Sequence, residues 1–278
     1  ACSKMMFQSI SILAAVSGVF LLGSKTIDLF AIAVCLANAG IMVLEIPTFG
    51  LSASIQSLMR CLLTFGEAEG YARNLEIHDL TFVFGQLVLY YATFAPHDTK
   101  QEKRRRWRML AACTFFFFVG MKRIAIPAVV LFIFVALIVR CFKNKKKLLT
   151  LWGVAWVVFF FLYIYAVRSG LVSKLLHITG IDMMGRDYLW SLANDYYDLS
   201  ITYVGHGFEY VDTIVTEWYN SGIINHPYPF HNDILKVFVE MGFPGFVFWT
   251  GIQYIITPIF WMHYADEDTA LLYLSNLS

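Results

Sequence analysis

The sequence predicts an all-α polytopic membrane protein with about seven or eight transmembrane helices and one long external loop that contains short helices. Of its 278 residues, 58% are hydrophobic and only 15% are charged, whereas roughly a quarter of the residues in soluble domains are charged. Uncharged apolar runs such as 125–139 and 149–167 approach the roughly 20 residues that cross a hydrocarbon core of about 30 Å. These runs indicate an integral membrane protein rather than a soluble domain.

Seven apolar segments are predicted to cross the membrane. In chain order they are 5–22, 29–46, 80–96, 107–121, 124–141, 149–167 and about 236–262. The segment 51–65 is only half apolar, so a position at the interface and a position lining a cavity both remain open. We therefore expect about six transmembrane helices within 1–167, a closing helix at 231–262 and a tail at 263–278. We also expect the chain to be a piece of a longer polytopic protein.

Two basic segments determine the predicted orientation. Residues 99–108 and 140–147 are rich in Lys and Arg, and short loops with this bias stay in the cytoplasm. The same bias explains both segments without a nucleic-acid partner. Two crossings separate them, so the corner at Lys122 and Arg123 is expected on the external face. One further crossing then carries the loop 168–230 to the outside.

The predicted external loop, 168–230, has an unusual composition for a connector. Acidic residues outnumber basic residues by seven to three, and Tyr and Trp are frequent. Aromatic rings can stack on the faces of sugars, but they also anchor loops at the membrane interface, which is their commoner role. The loop is therefore the predicted catalytic region, with both uses of its aromatic residues left open.

Two arginines are candidates for binding an anion at the external face. The span before Arg123 has only 15 residues, so Arg123 is expected below the interface and facing a protein-lined cavity, unless its side chain snorkels to the headgroups. Arg186 precedes Asp187 and Trp190 at the predicted start of a short helix, a position that favours a phosphate. The alternative for Arg186 is an ion pair with Asp182 or Asp187.

His231 lies at the predicted start of the closing helix. Asn232 or Asp233 is expected to cap this helix, which places the imidazole at the boundary between water and membrane. A histidine in this position can act as a base near neutral pH, or it can simply be solvated. Lys236 and Glu240 are four residues apart and share one face of the helix.

No metal or cofactor site is predicted. His226, His231 and Asp233 are near one another in sequence, but no spacing places three ligands on one helix face. The five cysteines lie in or beside apolar segments without a Cys-x-x-Cys pair, which is typical of small hydrophobic core residues. The sequence also has no P-loop and no Gly-rich dinucleotide fingerprint.

Four motifs in this order resemble the bacterial O-antigen polymerase and O-antigen ligase superfamily. They are MKRIAI at the hairpin corner, GRDYLW early in the long loop, GHGF, and HNDILKVFVEMGFPGF at the start of the next span. The resemblance covers about 110–249, and the His-Asn-x-x-Leu…Glu-x-Gly-x-x-Gly element is its most specific part. At the corner, family members usually have Ser-Arg where this chain has Lys122 and Arg123.

The resemblance implies a metal-independent, inverting membrane glycosyltransferase of the GT-C type, without a cofactor. Such an enzyme lies in the bacterial cytoplasmic (inner) membrane as a multi-pass protein with its active site on the external face. Its partners are an undecaprenyl-diphosphate-linked oligosaccharide as donor, a growing polysaccharide as acceptor, the lipid bilayer, and a chain-length regulator. Carried over to this chain, Arg123 and Arg186 hold the diphosphate, and His231 orients or deprotonates the attacking hydroxyl.

The resemblance leaves more than one function open. We prefer a polysaccharide polymerase of a capsule, exopolysaccharide or O-antigen pathway, and an O-antigen ligase that uses a lipid A core or another acceptor is the alternative. A transporter or flippase of lipid-linked sugars is the alternative from another class, and the nearly charge-free middles of the spans disfavour it. The further predicted substrate-binding residues are Lys122, Asp187, Trp190, Asn232 and Glu240.

Overall fold

The computed structural model describes residues 13, 16–63, 77–120, 125–178 and 185–277, and all regular structure in these residues is helical. This confirms the all-α class. In chain order the helices are α1 (Thr26–Phe49), α2 (Leu51–Leu63), α3 (Ile77–Leu89), α4 (Lys100–Gly120), α5 (Ala125–Cys141), α6 (Lys145–Arg168), α7 (Leu171–Ile178), α8 (Arg186–Leu192), α9 (Tyr210–Asn220), α10 (Asp233–Gly251), α11 (Thr257–Tyr264) and α12 (Glu267–Leu277).

Three helical segments in the described residues are long and apolar enough to cross a membrane. They are Thr26–Phe49, Lys145–Arg168 and the continuous stretch Asp233–Tyr264, while Leu80–Phe94 and Ala125–Cys141 are shorter apolar helices. The total of seven or eight crossings stays a prediction. Most of the first predicted span, 5–22, lies outside the described residues.

The predicted loop at 99–108 is corrected by the structure, because most of it is the first part of α4. Thr99 and Glu102 form a capping box at the start of this helix. The Glu102 Oε2 accepts from the Thr99 backbone N–H at 2.9 Å, and the Thr99 Oγ1 accepts from the Glu102 N–H at 3.1 Å. The Thr-x-x-Glu spacing is a local helix-start signal, so the basic residues that follow it lie on a helix.

Two compact units make up the chain, Ala1–Lys143 and Asn144–Ser278. In the first unit, α3 packs against α4 and α5 around a core that includes Phe84 and Phe117. A π-helical turn, Tyr90–Phe94, continues α3. Wide turns of this kind leave carbonyl groups unpaired, and Arg106 donates to the carbonyls of Tyr91 and Ala92.

In the second unit, α6 packs against the helix pair formed by α10 and α11. A π-helical turn, Ile252–Ile256, joins these two helices. The α6 residue Gly153 allows the closest approach, since a Cβ there would overlap the backbone carbonyl of Tyr254. About two turns of α6 further on, the Phe160 ring meets the Tyr254 ring edge to face, with a centroid separation of 5.0 Å.

The segment 263–278, expected as a tail, contains α12. Ala270, Leu271 and Leu274 of this helix are buried, and the Tyr273 hydroxyl donates to the Gln253 side chain in the π-helical turn. Because α12 buries one apolar face within the second unit, it is part of the fold.

Candidate active site

The helix that carries Arg186 begins where the sequence predicts. Gly185 precedes α8 with a positive φ of 77°, and α8 starts at Arg186. Leu189 and Trp190 are buried while Arg186 is exposed. Within the described residues, the Arg186 guanidinium makes no hydrogen bond or ion pair. Asp187, one of its two predicted ion-pair partners, instead accepts a hydrogen bond from Ser173 at 3.2 Å, and the other, Asp182, lies outside the described residues.

A buried hydrogen bond connects α8 to the segment that contains His231. The indole N–H of Trp190 donates to the Phe230 carbonyl at 3.0 Å. Trp190 lies one helical turn after Arg186, so the two residues share a face of α8, and Phe230 directly precedes His231. The backbone at His231 is therefore held against the helix that carries Arg186, and no direct side-chain contact is needed for this connection.

His231 has a strained backbone next to a capped helix start. Its φ is 52°, one of two positive values at non-glycine residues in the described chain. Strain of this kind costs about 1–3 kcal/mol and often occurs at functional sites. The following residue, Asn232, is the N-cap of α10, and its Oδ1 accepts from the Leu235 N–H at 3.1 Å. The predicted start of this helix is confirmed.

The amide of Asn232 has a donor left over. Its Nδ2 is buried and lacks a hydrogen bond of normal geometry within the described residues. The Tyr163 hydroxyl on α6 is near enough to interact with this amide. Asn232 thus caps α10 and also faces α6.

The loop that contains the GHGF motif inserts into a break in α10, a contact that the motif itself does not indicate. Pro244 has no N–H and excludes the usual bond to the carbonyl four residues earlier, so the Glu240 carbonyl is released and accepts from the Gly207 N–H at 2.9 Å. The neighbouring Val239 carbonyl accepts from the His206 N–H at 3.2 Å, and the Tyr203 carbonyl accepts from the Phe243 N–H at 2.7 Å. The loop therefore satisfies the backbone groups that the break exposes.

Two glycines make this close approach possible. Gly242 has φ 68° and ψ −177° inside α10, and Gly205 in the loop has φ 76°. A Cβ on Gly205 would lie 2.5 Å from the Glu240 carbonyl oxygen, and a Cβ on Gly242 would overlap the backbone of Val204. Gly242 is therefore both a bend in α10 and a point of close contact between backbones.

The carboxylate of Glu240 binds the start of α9. Glu240 is only 7% exposed, and its Oε1 accepts from the Val211 N–H at 3.3 Å. A further backbone hydrogen bond comes from Glu209. Lys236 lies 4.0 Å from this carboxylate and 2.7 Å from Asp212 on α9, which confirms that Lys236 and Glu240 share a face. A negative charge near a helix N-terminus is stabilising, so Glu240 attaches α9 to α10.

His206 is held rigidly at the surface of the same loop. Its Nε2 lies 2.7 Å from the Tyr196 carbonyl, and its ring stacks on Tyr210 with a centroid separation of 4.1 Å. A carbonyl only accepts, so this contact assigns the proton to Nε2 and leaves Nδ1 as an acceptor. The short Gly-His-Gly sequence gives no such indication, although Pro244 and the two glycines could have suggested a backbone contact.

A cation and two tyrosines hold the turn that follows α8. Arg168 at the end of α6 donates to the carbonyls of Asn194 and Tyr197 and lies over the Tyr197 ring. Burial raises the pKa of Tyr197 and of Tyr203 to about 12. Both hydroxyls therefore stay protonated at neutral pH, and that of Tyr203 donates to the Val239 carbonyl at 2.7 Å.

The predicted site residues thus fall into three groups. Lys122 and Arg123 lie outside the described residues. Arg186 and His231 are exposed, and α8 is joined to the His231 segment through Trp190. The third group consists of residues whose described polar contacts lie within the protein, and its members are Asp187, Trp190, Asn232 and Glu240. Among the described residues, no group of three or more His, Cys, Asp or Glu side chains could hold a metal ion.

Comparison with known proteins identifies the family. The family model described as O-antigen ligase matches residues 108–250, just over half of the chain. No curated protein and no solved structure matches the chain significantly. The matched range contains α8, His231, and the break in α10 with the loop inserted into it. The chain therefore belongs to the O-antigen ligase family, and it is an integral membrane protein of the O-antigen polymerase and ligase type.

Proposed function

We propose that the protein is a polysaccharide polymerase of the bacterial inner membrane with its active site on the external face. It transfers a glycan from an undecaprenyl-diphosphate donor to a hydroxyl of a lipid-linked repeat unit, in capsule, exopolysaccharide or O-antigen assembly. Family membership supports the coarser part of this proposal, a glycosyltransferase-like membrane protein with lipid-linked oligosaccharide substrates. The choice of polymerase and of donor is our own inference.

The hydrogen bond between Trp190 and the Phe230 carbonyl carries the proposal. It couples α8, whose Arg186 guanidinium is exposed and has no ion-pair partner among the described residues, to the strained residue His231 across 40 positions of sequence. An arginine suits a diphosphate because its planar group can donate two parallel hydrogen bonds. A histidine side chain, whose unperturbed pKa is close to neutral, can accept the proton of an attacking hydroxyl.

In the proposed reaction, the acceptor hydroxyl attacks the anomeric carbon from the side opposite the diphosphate. A new carbon–oxygen bond forms while the bond to the diphosphate oxygen breaks, so the configuration inverts. The hydroxyl proton passes to His231, and the lipid diphosphate leaves. Arg186 and Arg123 stabilise the negative charge that develops on the leaving group. The guanidinium groups supply the positive charge, and no metal or cofactor is assigned.

The other predicted substrate-binding residues have different parts in this proposal. Lys122 and Asp187 are candidate contacts to the donor or acceptor. Trp190, Asn232 and Glu240 act by positioning, because their polar atoms already bind backbone groups of α9, α10 and the Phe230 segment. A chain-length regulator stays a candidate partner without a binding surface.

The experiment that tests the function is incubation of the purified protein, in lipid vesicles, with a lipid-linked repeat unit. A ladder of products of increasing length supports the polymerase. A single transfer to an added lipid A core would instead establish the ligase, which the description of the matching family favours. Translocation of the substrate without any new glycosidic bond would establish the flippase and overturn both.

Two variants test the site, each with a matched control. His231→Asn removes the base but keeps a residue that tolerates positive φ, and we expect transfer to fall by about 10²–10⁴-fold. Arg186→Ala is expected to reduce transfer by about 10²–10³-fold. The controls His226→Asn and Lys174→Ala change exposed residues of the same external segment and should leave transfer close to that of the unmodified protein. Normal product from either test variant contradicts the site assignment.

A further inference from the structure

The short helix α7 exposes an apolar stripe directly after a membrane-spanning helix. Leu171, Leu175 and Ile178 are spaced by four and three residues, so they lie on one face, and all three are exposed, Ile178 by 80%. Ser173 and His177 lie in another sector of the helix. α7 begins only three residues after α6 ends at Arg168. An amphipathic helix next to a span is typical of segments that lie in the plane of the membrane interface.

The loop that inserts into α10 exposes a second set of apolar side chains. Ile201, Val204 and Phe208 are 72%, 77% and 81% exposed. The loop is nevertheless held in place, because its backbone makes three hydrogen bonds to residues 239–243 of α10. These side chains are therefore presented outward by a fixed backbone.

The length and charge pattern of the last membrane-spanning stretch indicate how deep in the membrane this loop lies. Asp233–Tyr264 has 32 residues, well above the roughly 20 that cross a hydrocarbon core of about 30 Å. All charged residues of this stretch lie at or before Glu240, and 241–262 has none. We therefore expect the hydrocarbon core to begin near residue 241, at the level where the loop binds α10.

We propose that these six side chains form an apolar underside of the external segment that inserts into the outer leaflet, at the boundary between headgroups and acyl chains. The apolar underside consists of Leu171, Leu175, Ile178, Ile201, Val204 and Phe208. The bilayer is the occupant because α7 begins three residues after the membrane-spanning helix α6, on which Leu162 and Tyr165 are both 61% exposed. The choice of leaflet rests on the predicted orientation of the chain, but the inference does not depend on the proposed catalytic activity.

Fluorescence quenching in vesicles tests the proposal. Leu175→Cys and Phe208→Cys are made in the full chain with its native cysteines replaced by Ser, labelled with the fluorophore NBD, and reconstituted in phosphatidylethanolamine–phosphatidylglycerol vesicles. Glu217→Cys, on the exposed surface of α9, is the matched control. Lipids with a nitroxide near the headgroup should quench the labels at 175 and 208 several-fold more strongly than the label at 217. Aqueous iodide should quench the label at 217 most strongly.

Two results overturn the proposal. Iodide quenching at 175 and 208 that equals the quenching at 217 shows that the underside faces water. Protection from both quenchers, together with energy transfer between differently labelled copies, shows that a second copy of the chain covers the underside. If either labelled variant fails to give a monodisperse protein, Ile178→Cys and Val204→Cys test the same two surfaces at positions that are 80% and 77% exposed.

Discussion

Gly242 shows how a single residue determines the shape of α10. Its φ of 68° and ψ of −177° lie in a region of backbone conformation that essentially only glycine adopts. The absence of a side chain also lets the Val204 backbone approach directly. The sequence does not reveal which segment occupies this space, because the contact is made with backbone atoms of a residue 38 positions earlier.

Gly242→Ala is expected to detach the loop from α10. The backbone strain contributes about 1–3 kcal/mol, and the overlap with Val204 adds to it, so we expect a total loss of about 3 kcal/mol or more in the free energy of unfolding. Thermal unfolding in detergent and chymotrypsin cleavage at Tyr203 or Phe208 measure this effect. Gly251→Ala is the matched control, because a Cβ there contacts nothing within 4 Å. Equal stability of the two variants would contradict the role of Gly242.

Trp190→Phe is expected to separate a positioning role from a merely structural one. The variant keeps an aromatic ring but leaves the buried Phe230 carbonyl without its donor. This lowers the free energy of unfolding by about 1–3 kcal/mol. If the proposed function is correct, the displacement of His231 lowers transfer by about 10–100-fold. Trp218→Phe is the control, because that indole makes only a 3.4 Å hydrogen bond to Tyr196. Unchanged transfer by Trp190→Phe, with intact folding, would show that this bond does not position the site.

At the scale of elements, the sequence predicts helix starts better than it predicts contacts between helices. The starts of α8 at Arg186 and of α10 after Asn232 both follow from neighbouring residues, a glycine with positive φ and a capping amide. The Thr99 capping box is an equally local signal that the loop prediction overlooked. By contrast, the attachment of α9 to α10 depends on a carboxylate 29 residues away from the amide that it binds, which no local pattern indicates.

Glu240 is expected to hold the start of α9 through its charge. Glu240→Ala removes the acceptor for the Val211 N–H. We expect the free energy of unfolding to fall by about 2–3 kcal/mol, since hydrogen bonds to charged groups are worth about 1.5–3 kcal/mol. Glu240→Gln keeps an oxygen acceptor, so the free energy of unfolding should fall by about half as much. Hydrogen exchange of the amides at 211–213 measures the local effect. Glu217→Ala, at an exposed position of α9, is the control, and equal exchange in all variants would contradict the proposed attachment.

At the scale of the whole molecule, the distribution of basic residues predicts the orientation. Reporter fusions in bacterial cells test this prediction. A fusion of a fluorescent protein that folds only in the cytoplasm should be active after Lys147, and an alkaline phosphatase fusion should be active after Asn220. The enrichment of Lys and Arg in short cytoplasmic loops is the physical reason for this expected orientation. The reverse pattern of activities would place the loop 168–230 in the cytoplasm and exclude an external active site.

The sequence by itself determined that this is an all-helical membrane protein, where α8 and α10 begin, and that its motifs resemble the family to which it belongs. These properties depend on hydropathy and on interactions between residues that are close in sequence, so they follow from the order of the side chains. Only the tertiary structure decided that a loop enters the break in α10, that Glu240 binds the start of α9, and that Trp190 connects α8 to the His231 segment. These contacts end on backbone amides and carbonyls, which are the same in almost every residue, so the identity of the partner cannot be read from the sequence.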